Sequence, residues 1–130
     1  MRSIHLIVGA ALLFGAGAAE ARTRVTPEQK LAKILDGRVA GAPVNCLNLR
    51  NIVSTEIIDG TAIVYRAGST LYVNRPANAD SLNNNDVLVT RTITGSLCSI
   101  DTVQLVDRYS KFQRGFVSLD QFVPYRKPKS

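Results

Sequence analysis

The sequence predicts an all-β fold: a small antiparallel meander or partly open barrel of about five to six strands, with one short N-terminal helix. Three observations predict it. Asp59-Gly60 separates two runs rich in β-branched and aromatic residues, 52–58 and 61–66, which is the pattern of a tight hairpin. Ala67-Gly68-Ser69 then turns the chain into residues 70–74, which extends the hairpin to a three-stranded meander. The first strand also has no cleanly polar face. Val53, Thr55 and Ile57 alternate with Ile52, Ser54, Glu56 and Ile58, which suits a curled sheet partly covered on both sides, as in a small barrel. A two-residue type I′ turn would pair Ile57 with Ala62 and Thr55 with Val64, and would set Glu56 against Ile63 and Ser54 against Tyr65.

Taken in order, residues 1–21 read as a signal peptide. Arg2 supplies the positive start, Leu6 to Ala19 is apolar or small, and Ala19-Glu20-Ala21 fits cleavage before Arg22. A short buried helix is the alternative. The first cysteine is Cys46, so its position rules out a lipid-anchored cysteine at the cleavage site. No later run approaches the roughly 20 apolar residues of a membrane span, and the mature product is expected to be soluble, exported and periplasmic or secreted. Cleavage removes His5 and Met1, the only histidine and methionine, and takes one basic and one acidic residue, Arg2 and Glu20, so the net charge stays at +6.

Residues 22–45 hold a helix and a linker, and residues 46–130 the β-domain. Thr26 caps the helix, Pro27 suits its first position, and Gln29 completes a capping box. Leu31, Ile34 and Leu35 form a stripe that has to dock on the meander, because about ten residues do not hold a helix alone in water. Gly37 ends it. Residues 38–45 read as a linker broken by Gly41 and Pro43, and Cys46-Leu47-Asn48-Leu49 leads into the first strand. Residues 75–86 form a polar surface loop. Its Asp80, Asn83, Asn85 and Asp86 lack the ligand spacing of a calcium loop. Residues 87–93 are a fourth strand, Gly95-Ser96 a turn, and residues 101–108 a fifth. Residues 109–115 are a basic turn region. Phe116, Phe122 and Tyr125 return to close the core, and residues 126–130 form a basic tail.

Two cysteines in an exported chain favour a Cys46–Cys98 disulfide, worth about 4 kcal/mol on the chain-entropy model. Two buried thiols are the alternative.

Several segments together resemble a family of small exported proteobacterial proteins of unknown function. They are Gly41-Ala-Pro-Val-Asn-Cys-Leu47, Ile57-Ile-Asp-Gly-Thr-Ala-Ile-Val-Tyr65, Leu71-Tyr-Val-Asn-Arg75, Leu97-Cys-Ser-Ile-Asp101 and Ser118-Leu-Asp-Gln-Phe-Val-Pro-Tyr125. The likeness implies export and one compact domain, and no activity. Members often carry further cysteines where this chain has Leu82 and Val117, which leaves Cys46 and Cys98 to pair with each other.

The mature chain without histidine excludes Ser-His-Asp and Cys-His hydrolases. No metal or cofactor site is expected, since neither zinc-ligand spacing nor a glycine-rich phosphate loop occurs. Asp101, Asp107, Glu56 and Asp59 are the carboxylates available for glycosidic hydrolysis, with turn-forming and charge pairing as the plainer roles. Arg66, Arg75, Arg91, Arg108 and Arg126 lie near Tyr65, Tyr72, Tyr109 and Tyr125. Such mixing suits single-stranded nucleic acid, which an exported protein is not expected to meet. Anionic envelope components would be the commoner partners of such a surface in the periplasm, while a basic solvated surface without a partner is the favoured plain reading, because charge speaks to non-specific binding rather than to a site. The expected function is non-enzymatic binding at an anionic surface. An inhibitor or accessory subunit inserting residues 83–86 into a protein partner is second, and a carboxylate hydrolase third.

Overall fold

The computed structural model describes residues 24–129, so the predicted signal peptide lies outside the described residues. The helix forms as its sequence dictates. In α1 (Pro27–Ile34) the Thr26 hydroxyl accepts from the Gln29 N–H at 3.1 Å, and the Gln29 side chain accepts from the Thr26 N–H at 2.9 Å. Leu31 is buried, and Gly37 takes a positive φ of 76° beyond the helix end.

Among the described residues ten strands follow, more than the five to six expected, in three antiparallel sheets not closed into a barrel. They are β1 (Val39–Ala40), β2 (Cys46–Asn48), β3 (Ile52–Ile58), β4 (Ala62–Ala67), β5 (Thr70–Asn74), β6 (Asp86–Val89), β7 (Ser96–Cys98), β8 (Thr102–Asp107), β9 (Gln113–Ser118) and β10 (Phe122–Arg126). One sheet has the order β1-β10-β5-β4-β3, another β6-β8-β9, and β2 pairs with β7.

The five-stranded sheet is partly covered on both faces, as expected, although residues 53–56 of β3 are exposed. Leu31 docks on one face with Ile58, Ala62, Val64, Leu71 and Val73. The other face carries Ile57, Ile63, Tyr65 and Phe122, packed on Val103, Leu105 and Val117 of the second sheet and on Leu47 and Leu97. Tyr65 and Phe122 meet edge to face at 5.7 Å between ring centroids.

Four expectations need correction. The β3–β4 loop holds three residues, not two: Ile58 pairs with Ala62, Ile57 with Ile63 and Thr55 with Tyr65. Only Gly60 has positive φ there (59°), and the Thr61 N–H closes on the Ile58 carbonyl at 3.0 Å, so the turn is not type I′. The one-residue shift exchanges the faces of β4 relative to the expected pairing. Residues 38–45 are no free linker, because β1 pairs with β10 and Val44 bridges Phe122. The fourth strand stops at Val89, since the Thr92 hydroxyl accepts from the N–H groups of Thr94 and Gly95 and bends the chain. Of the three returning aromatics only Phe122 is fully buried; Tyr125 packs half-buried near the helix and Phe116 is 54 % exposed.

Candidate functional site

Cys46 and Cys98 sit opposite each other on β2 and β7 and are joined by a disulfide. The five arginines do not form one cluster. Arg66 is exposed on β4 on the helix-covered side, opposite Ser54 and Leu71. Arg75 follows β5 and holds Glu28 of α1 with two bonds of 2.9 and 3.2 Å. That hydrogen-bonded pair lowers the Glu28 carboxyl and raises the guanidinium from their usual values. Arg126 ends β10 beside Val39. Arg91 lies beyond β6, in a shallow cavity shared with Ile93 and Ile100. Arg108 stands where β8 turns back to β9.

That last turn sets two exposed aromatics beside two cations. It reads Arg108-Tyr109-Ser110-Lys111-Phe112, with Tyr109 79 % and Phe112 74 % exposed. The tip is tightly tied. One Asp107 carboxylate oxygen accepts from the N–H groups of Tyr109 and Ser110 at 2.9 and 2.8 Å. The two amides hold its carboxyl below the usual carboxylate value, with Ser110 first and Tyr109 second. The Asp107 N–H donates to the Phe112 carbonyl at 2.8 Å, and the Lys111 ammonium to the Arg108 carbonyl at 2.8 Å. Lys111 has a φ of 66°, the one non-glycine positive φ among the described residues, a conformation that persists only where its surroundings impose it.

At the base of the tip Asp86 is buried at 2 % exposure. Arg114 meets it with a fork of two hydrogen bonds, one of them Nε to Oδ1 at 2.8 Å. Arg114 is thus committed, whereas Arg108 and Lys111 make no ion pair among the described residues. The sequence pointed to Arg108 and to Tyr109 beside it; Phe112 was missed, since residues 109–115 read only as a basic turn region.

The carboxylates weighed for catalysis each hold the fold. Asp101 accepts from the Cys98 N–H at 2.7 Å, Asp59 from the Asn84 N–H at 2.6 Å, and Glu56 faces Lys30 at 3.6 Å. The loop at residues 83–86 is pinned rather than projecting. Besides the Asn84 bond, the Asn85 carbonyl accepts from the Arg108 N–H at 3.1 Å. Among the described residues no group of three His, Cys, Asp or Glu is placed to hold a metal ion, and no helix is long and apolar enough to cross a membrane. Compared with family models, curated proteins and solved structures, the chain matches none.

Proposed function

We propose that this is an exported, non-catalytic binding domain that docks reversibly on anionic phosphate-bearing lipid at the cell envelope, through the 108–112 tip. One observation carries the reading: a tightly tied turn presents two exposed aromatics, Tyr109 next to Arg108 and Phe112 next to Lys111, and neither cation makes an ion pair among the described residues. Aromatic rings with a polar end suit the membrane–water boundary, and cations beside them are drawn to anionic headgroups. Export is supported by the signal-like N-terminus, by the resemblance to small exported proteins, and by a disulfide, which persists in oxidising compartments.

The energetics imply weak, salt-sensitive binding. Burying each ring contributes about 1.5–3 kcal/mol and each cation about 1 kcal/mol near an anionic leaflet. Part of that sum is offset by lost translational and rotational freedom.

Co-sedimentation tests the reading. Mature protein is expected to pellet with phosphatidylglycerol vesicles and with lipopolysaccharide at low salt, and not with phosphatidylcholine. The binding should fade as the Debye length falls from about 10 Å at 0.1 M salt to about 3 Å at 1 M. Tyr109→Ser with Phe112→Ser, or Arg108→Glu with Lys111→Glu, should abolish it. Reversal at Arg66 and Arg126, away from the tip, should change it little. Binding lost through the latter pair and kept by the tip variants would refute this site.

A further inference from the structure

A second candidate site lies where the two larger sheets fail to join. β3 is the terminal strand of the five-stranded sheet and β6 that of the three-stranded one. A cleft of about 430 Å³ runs between them, lined by Thr55, Glu56 and Ile57 of β3 and by Asp86, Val87 and Leu88 of β6. Consecutive residues of a strand point to opposite faces. A cleft that meets three in a row on each side is therefore walled by strand edges, where backbone N–H and C=O groups lack a neighbouring strand.

Both ends of the seam are laced. At one end the Gly60 N–H donates to the Leu82 carbonyl at 3.0 Å, and the Asn84 N–H to Asp59. At the other the Leu49 N–H donates to the Gly95 carbonyl at 2.9 Å, next to the disulfide-linked β2–β7 pair. These ties fix the two edges without pairing them.

The cleft also holds polar groups without partners. Tyr65 lines it from β4, and its hydroxyl is fully buried with no hydrogen-bond partner among the described residues. Arg108 lines it as well, while the neighbouring Glu56 is taken by Lys30 and Asp86 by Arg114.

We infer that the cleft takes an extended peptide segment as an added strand between β3 and β6. The Tyr65 hydroxyl donates to a peptide carbonyl, and the Arg108 guanidinium meets an acidic side chain or a C-terminal carboxylate. A peptide is the fitting occupant because its backbone alternates donors and acceptors as the strand edges do. The three-residue walls correspond to about 10 Å of extended chain at roughly 3.3 Å per residue. The cleft shares Arg108 with the lipid-docking tip but uses neither tip aromatic, so the Tyr109 and Phe112 variants separate the two sites.

The test uses the full mature protein and an immobilised library of acetylated hexapeptides that alternate apolar and polar residues and carry one Asp or Glu. Enriched peptides are titrated in solution. We expect binding that falls at least about tenfold on backbone N-methylation of the peptide, which spares the protein entirely, and on Thr55→Trp, which fills the cleft from an exposed strand position. Tyr65→Phe should raise the melting temperature of the free protein, because an unpaired buried hydroxyl is removed, while weakening the peptide. Tyr109→Ser with Phe112→Ser should leave peptide binding unchanged. The inference is overturned if no peptide is enriched over Thr55→Trp, if N-methylation has no effect, if octanoate binds as well as any peptide, or if Tyr65→Phe lowers the melting temperature.

Discussion

Gly60 and Asp107 show what single residues contribute. Asp59-Gly60 was legible as a turn because few other dipeptides tolerate such backbone. Its type was not legible, since the same dipeptide serves loops of two and three residues, and here Thr61 joins the loop. The demand on Gly60 survives the correction: its φ is 59°, and a Cβ there would meet nothing within 4 Å, so any penalty is purely conformational. Gly60→Val is expected to cost about 1–3 kcal/mol, read as a lowered melting temperature, and an unchanged melt would contradict the assigned turn. Asp107 gives a pH dependence. Its folded pKa is depressed by the Ser110 and Tyr109 amides, so the stability these two bonds contribute is fully present above the unfolded value of 3.8 and is lost as pH falls through the folded value. Amide NMR should show the Tyr109 and Ser110 signals shifting only at such acidity. A transition near neutral pH would contradict the carboxylate–amide ties.

The elements that the sequence revealed best carry their signals locally. The cap, the first-position proline and the Leu31 stripe of α1 sit within ten residues, and all three act as expected. The β4–β5 hairpin closes on Gly68-Ser69, with Gly68 at φ 60° and Ala67 paired with Thr70. β1 is different. Val39 and Ala40 carry no strand pattern of their own and become a strand only because the edge of β10 is there to receive them. The helix is too short to persist without its sheet, so its packing can be tested directly. Leu31→Ala should cost about 2–5 kcal/mol, with urea midpoints as the measure. A change below about 0.5 kcal/mol, typical of surface positions, would mean that α1 is not docked.

At the scale of the molecule, the division into three sheets, with the larger core between the five-stranded sheet and the other two, was not legible, because it rests on contacts between distant segments. The turn at 109–115 and Tyr109 were legible, but the exposure of Phe112 was not: composition marks phenylalanine as buried material, and only the pairing of β8 with β9 turns it outward. The disulfide was legible from the count of cysteines, and it spans 52 residues. Reduction should destabilise the fold by about 4 kcal/mol on the chain-entropy model, read from melts with and without dithiothreitol. Labelling of unreduced, denatured protein should find no free thiol, and two labelled cysteines would contradict the bond.

The docking claim is tested most directly from the tip itself. The chain contains no tryptophan, so Phe112→Trp places a single reporter ring at the proposed contact. With phosphatidylglycerol vesicles at low salt, its fluorescence should shift to the blue and intensify as the ring leaves water, and 1 M salt should reverse the change. Phosphatidylcholine vesicles should produce none. Emission that stays that of a water-exposed ring while the protein co-sediments with anionic vesicles would place the contact on another surface and contradict the account.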